Sequence, residues 1–559
     1  MRRAILFLLL LLFAATAQAA PARVADELAI GVTQYPSTLT PMIDAMAAKT
    51  YVLAMVRRPL TTYDADWHLV CMLCVTLPSF ENGLAERLPL PDGKTGVRLT
   101  FTLQPGARWG DGVPLTTADV IFSYEVGKDP KTGVSGAELY RRILKIEAKD
   151  DKTFTIDIDK LTFDYAALND FEILPAHIER DAFADPAQYR IRTHYDTDPT
   201  NPGLYYGPYR ITEVSPGSDI VLERNPTWWG KKPYFRRIVV WTIENTAALE
   251  ANLLARGIDM VAGELGFSLD EALAFEKRHG GEFRVRYKPG LTYEHIDLNL
   301  DNPILADRRV RQAMLYAVDR DAISSELFAG RDPVADSFVP RLDWIYTDQV
   351  RRYPYDPGEA RALLEAAGWH QEGDAIRRNA TGEPLSLELG TTAGNRTREL
   401  VEEVLQSQWR AAGIEVRLKN QPARVFFGQT MTRRRFTMGM FAWISAPESV
   451  PRSELRSDEI PSADNHWSGQ NFPGFRNPEA DRLIDTIETE LDRDRRAVLW
   501  HQLQALYAEE LPALPLYFRA EAFILPPWLE GVTPTGNQYP TTLWVENWHP
   551  VGKVAGTLP

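Results

Sequence analysis

Apolar and polar residues alternate in RLTFTLQ, where Leu99, Phe101 and Leu103 share one face, the pattern of a half-buried strand. Asp111-Gly112 follows as a turn dipeptide, because glycine tolerates positive φ. Thr116 stands three residues before Asp119, a capping box with Asp in the place of Glu. Val120, Ile121 and Tyr124 then begin an apolar stripe. WGDGVPLTTADV, Trp109 to Val120, thus predicts strand, turn, N-cap and helix. Both of its carboxylates have structural roles there, so they are not read as a catalytic pair.

The same grammar returns downstream. In YDPGEARALLEAAGW, Asp356 is the N-cap, Pro357 the first helical residue, Glu359 the N3 acid and Gly368 the stop. In ADRRVRQAMLYAVDRDAI, Val310, Ala313, Met314, Ala317 and Val318 fall on one helical face that Asp307 caps. The short basic run Arg308, Arg309 and Arg311 reads as a solvated face.

The first residues form a separate pattern. Arg2 and Arg3 precede the unbroken apolar run Ile5 to Phe13, and Ala17-Gln18-Ala19 is a small-x-small cleavage signal. Residues 1–19 are therefore expected to be a signal peptide removed before Ala20. The run is too short to span a bilayer, and no cysteine follows it for lipid attachment. The expectation is an exported, soluble protein.

At 559 residues the chain is long enough for two or three lobes, and 44% hydrophobic with 25% charged residues is ordinary globular composition. Loss of Arg2 and Arg3 takes the formal charge from −14 to −16. Phosphate binding needs a basic surface, so a nucleic-acid partner is not expected. Cys71 and Cys74, in CMLC, are the only cysteines. An exported pair of this spacing reads as a small disulfide or two inert thiols rather than a redox or zinc motif.

Enzyme motifs are absent. No P-loop, GxSxG elbow or HExxH occurs, and the nine histidines are scattered. No catalytic residue, metal site or cofactor is expected.

In order, several stretches resemble one family, the extracellular solute-binding proteins of family 5, the peptide- and nickel-binding receptors of ABC importers. They are Leu84 to Glu125, Gly207 to Pro233, Leu253 to Met260, His295 to Ile323, Tyr355 to Trp369, and Leu503 to Phe518. The resemblance implies an α/β, three-lobed periplasmic-binding-protein fold with a hinged ligand cleft. Lobe I would be 20–50, 204–290 and 520–559, lobe II the scaffold insertion 51–203, and lobe III 291–519. It also implies a monomer that carries a small solute, a peptide or peptide-like molecule, to an ABC permease in the inner membrane.

The family places an aspartate three residues after a lobe III tryptophan, facing the ligand's ammonium. Counting three from Trp443 reaches Ala446, so the acid is missing. Either the ligand has no free α-amine, or another acid substitutes, with Glu448 the nearest candidate. Tyr35, Trp443, Ser445, Glu448, Trp467 and Asn471 are the ligand-binding candidates that the resemblance suggests. A non-peptide ligand on the same scaffold is the alternative: a glycoconjugate, an opine-like solute, haem, or a metal held by His295 or His466. From other classes, an exported hydrolase would need a nucleophile–base pair, and an envelope chaperone would need a broad cleft.

Overall fold

The structure, a computed structural model, describes residues 26–552 apart from Ala45, Asp374 and His466. The signal peptide assigned to residues 1–19 lies outside the described residues, as does His466. Among the described residues no helix is long and apolar enough to cross a membrane.

Four strands organise the site: β1 (Glu27–Val32), β2 (Arg284–Leu298), β3 (Met438–Ile444) and β4 (Ala513–Leu525). They belong to a ten-stranded mixed sheet in the order Glu415–Leu418, Ser386–Gly390, β3, β2, β4, Met260–Val261, β1, Arg237–Thr242, Asp219–Arg224, Tyr209–Ser215. β2 and β4 run through both halves of it. Arg284–Pro289 pairs with Ala520–Leu525 on the β1 side, and Tyr293–Asp297 pairs with Ala513–Phe518 on the β3 side. The register shifts between Pro289 and Tyr293. Proline lacks an N–H for the ladder, which accounts for a break at Pro289. Here the neighbouring backbone is the Gly536 segment: Leu291 N–H donates to the Gly536 carbonyl at 2.9 Å. A Cβ on Gly290 would lie 2.6 Å from that oxygen, so the approach requires glycine.

Period two sorts β2 onto two buried faces. Ile296 and Leu298 join Met438, Met440, Leu514 and Leu516 in a core that also takes Val310, Leu364 and Trp409. The helices Arg308–Tyr316, Pro357–Ala366 and Arg396–Ala411 supply those last three side chains. Tyr293, His295 and Asp297 point the other way, into the cavity described below. The first half of the chain has its own core, in which Leu28 and Ile30 of β1 are continuous with Leu99, Phe101 and Phe154. The latter belong to an antiparallel sheet of Ala85–Pro89, Thr95–Thr102, Thr153–Ile158 and Ile143–Ala148.

Trp109–Val120 has the local structure its sequence predicts. Gly112 sits at φ +93° in the turn. Asp119 Oδ2 accepts from Thr116 N at 2.8 Å and from Trp109 Nε1 at 3.3 Å, and Oδ1 accepts from Ala176 N at 2.9 Å. The helix it starts is Thr117–Lys128. Asp356 and Asp307 cap their helices as expected. One expectation is corrected: Arg311 is buried, not solvated. Its guanidinium donates to the carbonyls of Leu305, Ala306 and Glu510, closing orphan backbone groups against the neighbouring helix. Cys71 and Cys74 are joined by a disulfide, Cα to Cα 5.1 Å.

Candidate functional site

β2 and β3 pair antiparallel, and three opposed pairs fall on the face away from the helices: Tyr293 with Trp443, His295 with Phe441, and Asp297 with Gly439. Cross-strand aromatics lie close enough to stack. His295 stacks on Tyr293 at 4.9 Å with 6° between the rings, and on Trp443 at 6.4 Å and 19°. Phe441 meets His295 edge-on at 4.6 Å.

This wall faces a cavity of about 90 Å³. Trp443, Ser445, Ala446 and Ser449 line it where the chain leaves β3, with Phe338, Asp343, Glu454 and Tyr507 opposite. Asp297, His295 and Asp343 are buried polar residues. His295 Nδ1 lies 3.2 Å from the Tyr293 carbonyl, which can only accept, so Nδ1 carries a proton. His295 Nε2 is 3.3 Å from Asp297 Oδ1. Burial pushes the Asp297 carboxyl above its usual range, partly offset by His295. Burial also raises Glu454, and Asp297 adds to that rise by like-charge repulsion. Asp343 is raised by burial, while backbone N–H groups, that of Glu448 at 2.9 Å among them, pull it back.

A second cavity, about 380 Å³, is formed by the other half of the molecule. Lys49, Arg57, Asn169, Asp170, Glu172 and Tyr539 line its polar side. Lys49 Nζ donates to the carbonyls of Thr40, Pro41, Ile43 and Asp44, and burial draws its pKa down to about 8. Arg57 pairs with Glu172. Asp170 has no ion-pair partner among the described residues. Ala446 packs against the apolar cluster of Ala54, Tyr539 and Leu543, three residues that line this second cavity. The segment after β3 thus meets the opposite half of the molecule.

Of the six candidates, the structure brings Trp443 and Ser445 to the first cavity and places the other four elsewhere. Glu448 is ion-paired with Arg496 and accepts from Trp344 Nε1 at 3.1 Å. Asn471 is fully buried, and its amide bonds the backbone of Arg456 and Phe475, which consumes its polarity in the scaffold. Trp467 lies under the guanidinium of Arg433, 4.7 Å away. Tyr35 packs on the first core near Asp219. Asp297 and Glu454 were missed. The available signal was HIDLNL, where His295 and Asp297 alternate with apolar residues in a strand whose other face is apolar.

Two half-sheets share two continuous strands, with one cavity lined from residues 291–513 and the other from residues 41–172 and 538–543, an arrangement that fits a binding protein. The chain belongs to the bacterial extracellular solute-binding proteins of family 5, whose model matches residues 79–453. It is 26% identical over 517 residues to the oligopeptide-binding protein AppA of Bacillus subtilis, covering 90% of this chain and 88% of that one. It is 23% identical to the nickel-binding periplasmic protein of Escherichia coli, over 89% and 91% of the two chains. The oligopeptide-binding protein of Thermus thermophilus, solved with a pentapeptide, superposes with a TM-score of 0.73 at 28% identity, covering 93% of this chain and 96% of that one. The fold is therefore the α/β binding-protein fold expected from the sequence.

Proposed function

We propose that this protein is the receptor of an ABC importer, which captures a peptide or peptide-like solute in the periplasm and delivers it to an inner-membrane permease. Lobe I would comprise 20–50, 204–290 and 520–559, lobe II 51–203, and lobe III 291–519. The hinge would be the register break of β2 between Pro289 and Tyr293, where the strand pair loses its ladder bonds. Ligand that contacts both lobes favours the closed arrangement by its differential affinity.

The observation that carries this reading is that Ala446, which lines the first cavity, packs against the apolar cluster of Ala54, Tyr539 and Leu543, which lines the second. A solute that fills one cavity and reaches past Ala446 to the other would meet both lobes. Relatives named as oligopeptide-binding proteins supply the ligand class. A thermal-shift screen tests it, with di- to pentapeptides bearing free or acetylated N-termini set against sugars and metal salts. Ligand at 100 times its Kd stabilises by about 2.7 kcal/mol. A shift with peptides supports the proposal. A shift with sugars or metals, and none with any peptide, overturns the ligand class.

A further inference from the structure

The second cavity contains a hydrogen-bond relay that lacks one member. Leu168 N–H donates to Thr61 Oγ1 at 2.8 Å, and the Thr61 hydroxyl gives its own proton to Asn169 Oδ1, 2.6 Å away. That fixes the Asn169 amide, because Oδ1 can only accept. Its Nδ2 therefore donates to the Tyr539 hydroxyl, at 3.0 Å. Gln538 Nε2 donates to the same oxygen at 2.9 Å. A phenol oxygen that accepts two hydrogen bonds still has its own proton to give. Tyr539 is only 7% exposed, and no group among the described residues accepts that proton. A buried donor left unpaired is costly.

Asp170 stands on the other side of the gap. It lines the cavity at an exposed position, and it makes no hydrogen bond or ion pair among the described residues. Its charge reaches Tyr539: burial raises the pKa of the phenol, and Asp170 raises it further. No hydrogen bond joins the two. The other charges of the cavity are spent, Lys49 on the carbonyls of Thr40, Pro41, Ile43 and Asp44, and Arg57 on Glu172. A free donor and a free acceptor thus line one cavity without meeting.

Three kinds of ligand group can be compared at that gap. An ammonium donates to Asp170 but gives the Tyr539 proton no acceptor. A carboxylate accepts from Tyr539 but is repelled by Asp170. A hydroxyl accepts from Tyr539 and donates to Asp170, and leaves neither unpaired. Leu53, Ala54, Pro59 and Leu543 offer an apolar wall to the carbon skeleton that carries it. The volume, about 380 Å³, is that of a small-molecule pocket.

We propose that this cavity is the subsite for an uncharged, hydroxylated group of the solute, with Tyr539 as donor and Asp170 as acceptor. The inference deepens the receptor reading and rests on it for the molecule that carries the hydroxyl. Two sources share this chemistry, an alcohol or phenol side chain of a peptide and a sugar ring.

Calorimetric titration of the purified protein tests it. Ala-Tyr-Ala is compared with Ala-Phe-Ala, and Ala-Ser-Ala with Ala-aminobutyrate-Ala, so that each pair differs at one hydroxyl; glucose and N-acetylglucosamine are the free sugars. The wild type is expected to favour the hydroxylated member of at least one peptide pair by about tenfold or more. Tyr539→Phe and Asp170→Ala are each expected to cut that preference toward unity. Asp170→Ala, at an exposed position, keeps the test valid if Tyr539→Phe fails to fold. Equal affinity within both peptide pairs with no sugar bound, or a preference unchanged in Asp170→Ala, means that water fills the gap; either result overturns the subsite and leaves the peptide receptor standing. A sugar that binds the wild type, is weakened about tenfold or more in Asp170→Ala, and binds where no peptide does, supports the subsite and overturns the peptide ligand. If no peptide and no sugar binds, both fall.

Discussion

The carboxylate of Glu448 is closed off by the guanidinium of Arg496, with both side chains buried and Trp344 Nε1 on the second oxygen. Burial outweighs the attraction of Arg496 and leaves the Glu448 carboxyl above its ordinary range. The pair is a strut of the scaffold. Removing one member leaves the other as an uncompensated buried charge, so Arg496→Met is expected to cost about 3 kcal/mol or more. The double variant Glu448→Gln with Arg496→Met should regain part of that loss. Urea midpoints of the two variants check it; equal midpoints would show that the pair is not coupled.

Ala446 packs against the apolar cluster of Ala54, Tyr539 and Leu543 from the other half of the molecule, so a carboxylate there meets an apolar surface. Ala446→Asp is expected to disfavour the closed arrangement, since desolvating the new charge costs more than the contact returns. Small-angle scattering should show a larger radius of gyration than the wild type in the presence of saturating ligand. An unchanged radius would place the closing contact elsewhere.

Two buried carboxyls outside the first cavity have raised pKa values, Asp332 and Glu402, both at about 7. Burial is the main cause in each. A raised folded-state pKa means that the unfolded chain loses its proton first. These groups therefore oppose folding above about pH 7, and the penalty fades as pH falls toward the unfolded value near 4. The ligand-free protein is expected to melt at a higher temperature at pH 5.5 than at pH 7.5. Glu402→Gln should flatten that dependence. A melting temperature that falls between pH 7.5 and 5.5 would contradict these shifts.

The disulfide between Cys71 and Cys74 closes a very short loop, three positions apart in sequence. Loop-closure entropy for such a ring is small, about 2 kcal/mol. The double variant Cys71→Ser with Cys74→Ser should fold and lose about that much stability, read by chemical denaturation. Loss of solute binding in that variant would show a role beyond local bracing.

The sequence by itself determined the elements whose causes are local. Asp119, Asp307 and Asp356 cap helices through atoms two or three residues away, and Gly112 turns the chain through its own φ. The order of such segments was enough to recognise the fold. What only the tertiary structure decided is which polar groups remain available. Glu448 and Asn471 looked free in the chain, but Arg496, 48 residues on, and the carbonyls of Arg456 and Phe475 consume them. Arg311 looked like a surface charge until the carbonyl of Glu510 arrived beside it. Asp297 and Glu454 are 157 positions apart and meet only because β2 and the Arg452–Leu455 helix line one cavity. Period two showed that Asp297 shares a face with His295, but not that the face would close over a cavity. Hydrogen-bond satisfaction and burial are pairwise, long-range properties, and a binding site is built from the groups they leave over.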